Sequence, residues 1–316
     1  MKVAVLGATG ATGSSIINAL LEAGSFSITA LVRPGSLARQ ANRDLEAKGV
    51  TILSFDLSAP VEESAQKLEG HDILLAAISI PATAEQIPLA TVAKAAGIKR
   101  FVPCFYAPIA PPKGVVALRD IVSFVVGILK EDVLNHVKKI HLPYTAIDIG
   151  WWFQFTLPRL PSGRLDASVS GLVNVIPGDG NVISAFTDNR DFGKYVARII
   201  ADPRTLNKLV FAFSEMKTLN QIYDLLERLS GEKIPREYDG HKILAKLASL
   251  GPGPIDPNSE DYFTQAVHQY WYSWAVRGDN NVEYARYLGY LIGHELYLDM
   301  KLTSFEDYIR ELLASS

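Results

Sequence analysis

Three glycines decide most of what this chain can become. The opening MKVAVLGATGATGSSIINALLEAG spaces Gly7, Gly10 and Gly13 three residues apart, as G-x-x-G-x-x-G. Before them, Val3–Leu6 is a short apolar run that reads as a strand. After them, Gly13–Ala23 carries helical periodicity. A glycine-rich turn between strand and helix is where a backbone approaches a pyrophosphate, because the amides of the helix N-terminus point at it. The spacing assigns Gly7 to the tight turn, Gly10 to phosphate approach and Gly13 to close packing of helix on sheet. Thr9, Ala11 and Thr12 complete the loop and join the candidate cofactor-binding set. Alone this motif is weak; the alternating pattern that it heads strengthens it.

Over the first 150 residues, apolar strands and amphipathic helices alternate. Further strands are predicted at Ser27–Val32, Thr51–Phe55, Ile73–Ile78, Arg100–Pro103 and Tyr144–Ile149, and helices at Leu37–Lys48, Val61–Leu68, Glu85–Ala96 and Val122–Ile140. Strands separated by helices pair in parallel, so the fold class is α/β, a doubly wound parallel Rossmann sheet. The pattern returns in a helix at Asp191–Ala201 and a strand at Lys208–Phe213. Phe155–Ile183 is rich in Pro and Gly. Beyond Ser214 the periodicity is helical, at Asn220–Leu229, Gly240–Leu250, Asp261–Ala275 and Asn281–Leu291. The expected organisation is a discontinuous dinucleotide domain, residues 1–155 and 185–214, with a smaller, mainly helical substrate domain, 156–184 and 215–316. Gly251–Pro257 reads as a loop near the cleft.

The end of the second strand chooses the cofactor. Enzymes that use NAD place a carboxylate there for the ribose hydroxyls. This chain reads Leu31-Val32-Arg33-Pro34-Gly35-Ser36, with Arg33 twenty positions after Gly13. A guanidinium at that point pairs with a 2′-phosphate, so NADPH/NADP+ is the expected cofactor, with Ser36 and Arg39 as further donors. Asp56 ends the next strand and is expected to face the adenine. Ser79 follows the fourth strand along the adenosine ribose, and Pro103 closes the fifth.

Composition sets the limits. The 316 residues are 48% hydrophobic and carry a net charge of −3, which supplies a core without the basic surplus that nucleic acid requires. No apolar stretch approaches the roughly 20 residues of a membrane span. The one cysteine, Cys104, excludes an intrachain disulfide and suits a reducing compartment. The first strand starts at residue 2, so no targeting segment is expected ahead of it. The expectation is a cytoplasmic monomer or homodimer that takes a small-molecule substrate, with no nucleic-acid or membrane partner. No H-x-x-x-H or C-x-x-C spacing offers a metal site.

The stretches VAVLGATGATG, LVRPGS, EQIPLATVAKAAGIKRFVP, HLPYTAIDIGWW, GDGNVISAFTDNRDFGKYVARIIADPRTLNK and YSWAVRGDNNVEYARYLGYLIGHELY carry a family resemblance. Together they resemble the NmrA-like and isoflavone-reductase-like branch of the atypical short-chain dehydrogenases, particularly its fungal members, over essentially the whole chain. The resemblance implies either an NADPH-dependent reductase of small aromatic metabolites or a redox-sensing regulator that binds the dinucleotide without turning it over. It also implies a lysine beside the nicotinamide, on the helix after strand five, and the matching position is Lys130. A partly desolvated lysine there orients the cofactor ribose and donates a proton. One departure stands out. Where the plant reductases end strand five in Pro-Ser-Glu-Phe-Gly, this chain has Pro103-Cys104-Phe105-Tyr106-Ala107. Tyr106 is then either a second acid or substrate contact, or a packed aromatic. The Y-x-x-x-K pair of the standard short-chain dehydrogenases occurs at Tyr238-Asp239-Gly240-His241-Lys242, in the predicted substrate domain, and is set aside as coincidence.

Two aromatic groups are candidate pocket walls. Trp151, Trp152 and Phe153 follow the strand that ends at Gly150, and Trp271 lies in Tyr270-Trp271-Tyr272-Ser273-Trp274 on a predicted helix. An aromatic-rich cleft with few charges suits a planar, weakly charged substrate. The expected function is NADPH-dependent reduction of an aromatic or polycyclic metabolite at a C=C, C=O or C=N bond, with Lys130 and Tyr106 as catalytic candidates. Two alternatives stay open: a non-redox cyclase or condensing enzyme that retains NADP, and an NADP(H)-sensing regulator without turnover.

Overall fold

The computed structural model describes residues 1–109, 111–112, 128–169, 175–239, 242–249 and 267–315. The expected loop at Gly251–Pro257, His241, and the first parts of the predicted helices Val122–Ile140 and Asp261–Ala275 lie outside the described residues. The chain divides into two compact units. The first comprises Met1–Phe105, Leu129–Ile147 and Phe192–Val210, and the second Tyr106–Ile128, Asp148–Asp191 and Phe211–Ser316.

The first unit is an α/β Rossmann-like layer structure. Its elements run β1 (Lys2–Leu6), α1 (Ala11–Ala23), β2 (Ser27–Val32), α2 (Gln40–Ala47), β3 (Thr51–Ser54), α3 (Val61–Leu68), β4 (Ile73–Ala76), α4 (Gln86–Ala95), β5 (Arg100–Val102), α5 (Ile128–Lys139) and β6 (Thr145–Asp148). Five strands form a parallel sheet in the order β3-β2-β1-β4-β5, with Val3 opposite both Ile28 and Ile73. A parallel bridge from Phe101 to Tyr144 leads on to β6, whose neighbour is the strand Lys208–Phe211. Helices cover both faces, so the central strands read as unbroken apolar runs: Val3, Ala4, Val5, Leu74 and Leu75 have no exposed surface. The strand order reverses at β1, which leaves a crevice beyond the carboxyl ends of β1 and β4. Ligands of open α/β sheets bind at this switch point.

Several predicted helices differ in extent. α1 begins at Ala11, ahead of the expected Gly13. The helix expected over Leu37–Lys48 starts only at Gln40, after a 3-10 turn at Pro34–Ser36. The reason is Asn42, whose buried side-chain amide donates to the carbonyls of Ser36 (2.7 Å) and Leu37 (3.3 Å). That capture holds the preceding residues in a turn. At the sheet's other side, buried Arg100 donates to the carbonyls of Ile199 (2.8 Å) and Asp202 (3.0 Å) and to Thr205 Oγ1 (2.8 Å). One guanidinium thereby caps the end of the helix Asn189–Ala201.

The second unit has its own sheet. Ser184–Thr187 pairs antiparallel with Glu215–Lys217 and parallel with Trp151–Trp152. Its aromatic core includes Trp274, Phe153, Phe186 and Phe305, all without exposed surface. The helix Leu219–Ser230 opens on a capping box from Thr218 and Gln221. The helix predicted over Asn281–Leu291 stops at Tyr287; Gly289, at φ +83°, reverses the chain into the short strand Leu291–Ile292. From Val267 the described part of the predicted Asp261–Ala275 helix runs into a π-helix, Tyr272–Arg277. No helix among the described residues is long and apolar enough to cross a membrane.

Candidate functional site

The crevice at the switch point is a cavity of about 580 Å³. Its floor is the turn from β1 into α1. Gly7 adopts φ +85°, and a Cβ there would stand 2.1 Å from the Ala77 carbonyl oxygen, so only glycine lets β1 leave the sheet beside β4. The Gly10 amide closes the turn onto the Gly7 carbonyl (3.0 Å), and the Gly10 carbonyl accepts from Ser14 (2.7 Å). Gly10 is the N-cap of α1 and brings no capping side chain. The N-cap residue itself thus lines the cavity, and a helix N-terminus without a capping side chain suits an anion.

The second wall is the turn after β2. Arg33 and Arg39 are exposed and line the cavity, and neither guanidinium has a hydrogen bond or ion pair among the described residues. Arg190, Arg204, Arg228, Arg236, Arg277, Arg286 and Arg310 each pair with a carboxylate. Ser36 lines the same wall. Its amide donates to the Arg33 carbonyl (2.8 Å), and its carbonyl is held by Asn42. A third wall follows β3. Asp56 accepts from the hydroxyl (2.7 Å) and amide (2.9 Å) of Ser58, and these bonds hold its carboxyl below the usual range. Ser79, beyond β4, completes the ring of strand ends.

Of the residues expected from sequence, Gly7, Thr9, Gly10, Arg33, Ser36, Asp56 and Ser79 line this one cavity. Ala11, Thr12 and buried Gly13 lie in the first turn of α1 behind it. Pro103 is buried at the end of β5. Lys130, on α5, is partly buried, with Nζ 5.5 Å from the centroid of the Phe105 ring. Asn42, which also lines the cavity, and fully buried Gln86 belong to no sequence motif. Asn42 is a polar residue on the buried face of an amphipathic helix, and that mismatch was its signal.

The remaining candidates belong to the second unit. Tyr106 and Trp271 are buried, each 7% exposed. Trp151 is stacked on Trp274 (5.6 Å between centroids) and lies 5.9 Å from Tyr270, while Trp152 is partly exposed. Phe153 has no exposed surface and stacks on Phe305 at 3.8 Å. Tyr238 and Lys242 of the Y-x-x-x-K pair are both exposed.

Comparison with known proteins extends over the whole chain. A protein of Aspergillus novofumigatus named asnovolin J 5′,6′-dehydrogenase is 41% identical over 320 residues, covering 99% of this chain and 95% of that one. A probable pinoresinol-lariciresinol reductase of Arabidopsis thaliana is 28% identical over 317 residues, covering 99% and 97%. The binary complex of leucoanthocyanidin reductase with NADPH from Vitis vinifera has the same fold, with a TM-score of 0.80 at 22% identity over 99% of this chain and 100% of that one. The description of the NmrA-like family matches residues 1–308, and the chain belongs to that family.

Proposed function

We propose that the protein transfers hydride between NADPH/NADP+ and a small aromatic or polycyclic metabolite, acting as a reductase at a C=C, C=O or C=N bond. The observation that carries this reading is the pair of guanidinia, Arg33 and Arg39, that line the strand-end cavity without a carboxylate partner among the described residues. Two such charges beside a helix N-terminus suit a dinucleotide that bears an additional phosphate. Gly10 supports the same fit. Its φ is −74°, and a Cβ there would meet only the Gly7 carbonyl, at 3.4 Å, so the protein's own packing does not demand glycine. The demand comes from a group that must lie against the backbone.

In this reading Gly7, Thr9, Gly10, Ala11, Thr12 and Gly13 hold the pyrophosphate, Arg33 and Ser36 the 2′-phosphate, Asp56 and Ser79 the adenosine, and Pro103 the nicotinamide end. When bound, the cofactor supplies a hydride to the acceptor carbon. Lys130 gives a proton from its ammonium to the atom left electron-rich, and the amine regains a proton from solvent. Tyr106, Trp151, Trp152 and Trp271 form the substrate-contacting set assigned to the second unit, while Phe153, expected among them, has no exposed surface and packs on Phe305. The Aspergillus relative is named a dehydrogenase, which favours testing both directions. The test is turnover of NADPH with a panel of enones, imines and quinone methides, and of NADP+ with their reduced forms. Oxidation or reduction of the cofactor coupled one-to-one to product is expected. Tight cofactor binding with no turnover across the panel would favour the sensing alternative.

A further inference from the structure

Arg33 and Arg39 stand at the two ends of one short turn after β2. Each precedes a helical segment as its N-cap, Arg33 before the 3-10 turn Pro34–Ser36 and Arg39 before α2, and neither supplies a capping side chain. A short side chain that carries an oxygen normally holds the backbone at such a position. Here the turn is held from its far side. The Ser36 amide donates to the Arg33 carbonyl (2.8 Å), and the Ser36 carbonyl accepts from the Arg39 amide (3.2 Å). The same Ser36 carbonyl accepts from Asn42 Nδ2 at 2.7 Å, and the Leu37 carbonyl accepts from that nitrogen at 3.3 Å. The Asn42 backbone amide donates to the Arg39 carbonyl at 3.0 Å.

Asn42 is the third residue of α2. In a capping box the side chain at this place reaches back to accept from an amide. Asn42 reaches further back and donates. Both of its side-chain partners are carbonyl oxygens, which only accept, so the amide nitrogen has to face them. The residue is 3% exposed, and Leu45 is the other buried residue of α2. An aliphatic side chain would suit that buried face better, so the donor has another use. Asn42 lines the cavity together with Arg33, Ser36 and Arg39. The two guanidinia have no ion pair among the described residues, so the backbone that carries them sets where they reach. A charge-assisted contact to a phosphate depends on that direction.

We propose that Asn42 is a positioning residue for cofactor choice: its side-chain amide holds the turn so that Arg33 and Arg39 are presented to the additional phosphate that distinguishes NADPH from NADH. The inference rests on the reading of these arginines as phosphate contacts. A residue that served folding alone would, when replaced, weaken every ligand of the cavity alike. A residue that places the arginines weakens only ligands that carry the additional phosphate. The test uses the full-length protein and calorimetric titration with NADPH, NADH, 2′,5′-ADP and ADP. Asn42→Leu, which keeps the volume and removes the donor, should weaken NADPH and 2′,5′-ADP about tenfold while NADH and ADP stay within about twofold. Asn42→Ala should act in the same direction, and it serves as the test if Asn42→Leu fails to fold. In the Arg33→Ala protein, Asn42→Leu should cost 2′,5′-ADP less than it does in the wild type, because one of the groups it acts through is gone. Equal weakening of all the probes would overturn the positioning role and leave a residue that only supports the fold. Unchanged affinity for all of them would overturn it too, as would an identical loss with and without Arg33. The phosphate reading fails in a different way: Arg33→Ala would then bind 2′,5′-ADP as tightly as the wild type, whatever Asn42→Leu does.

Discussion

A Cβ on Gly13 would stand 2.0 Å from the carbonyl oxygen of Gly7, so the third glycine of the motif exists to let α1 lie against its own turn. The middle glycine has no such constraint, because a Cβ on Gly10 would meet the same oxygen at 3.4 Å. One motif thus contains two kinds of glycine, one required by the fold and one that we assign to the ligand.

The two kinds should separate experimentally. Gly13→Ala is expected to cost on the order of 2–4 kcal/mol, because the clash is with backbone that cannot rotate away. Gly10→Val is expected to melt within a few degrees of the wild type and to weaken NADPH binding by at least about tenfold. Thermal melts and fluorescence titration with NADPH decide it. Retained affinity in a folded Gly10→Val would place the pyrophosphate elsewhere.

Arg33 should discriminate between cofactors. A charge-assisted contact to the 2′-phosphate is worth roughly 1.5–3 kcal/mol, about ten- to a hundredfold in affinity. Arg33→Ala should lose that much for NADPH and almost nothing for NADH. Equal losses for both would show that the arginine does not read the phosphate.

The parts of this architecture that were legible in the sequence are those that depend on local order. Alternating apolar runs give the parallel sheet, and a glycine turn at the β1–α1 junction gives the cavity floor. A basic residue twenty positions later falls at the end of β2 because strand and helix lengths in such units vary little. The illegible parts are bonds between positions remote in sequence. Nothing near Arg100 announces an acceptor at Thr205, and nothing near Gln86 announces Cys104. Aromatic residues misled in another way. Phe153 is enclosed by Phe305, a partner 152 positions away that no local pattern could supply.

Arg100 makes that remote bonding testable. Its guanidinium donates to the Ile199 and Asp202 carbonyls and to Thr205 Oγ1 at 2.8 to 3.0 Å, and the residue is 7% exposed. Arg100→Met fills much of the space but leaves the Ile199 and Asp202 carbonyls without this donor. Thr205 Oγ1 and the Asp202 and Thr205 amides still serve these carbonyls, so a loss on the order of 2 kcal/mol is expected from the lost charged donor, read as a lower midpoint in urea with an unchanged slope. A midpoint within error of the wild type would mean that water replaces the guanidinium without cost.

Asp72 gives the fold a pH dependence whose direction can be stated. Its carboxylate accepts from Lys99 Nζ at 2.7 Å and from the Lys2 amide at 2.9 Å, joining the start of β1 to the residue before β5. The Lys99 bond first, and the Lys2 amide second, hold its carboxyl below the ordinary value of 3.8. A carboxyl depressed in the folded state stabilises the fold at any pH above its unfolded value, and that contribution is lost as pH falls through the folded value. Asp72→Asn, which keeps the shape but not the charge, should therefore cost about 1 kcal/mol at neutral pH, the modest sum expected of a partly exposed pair. The gap between wild type and variant should narrow once pH drops below about 4 and close in stronger acid. Urea midpoints for both proteins, taken at intervals from neutral to acid pH, measure it. A gap that stays constant across the acid range would mean that the Asp72 charge does not tie β1 to β5, and that shape alone holds the two strands at this edge.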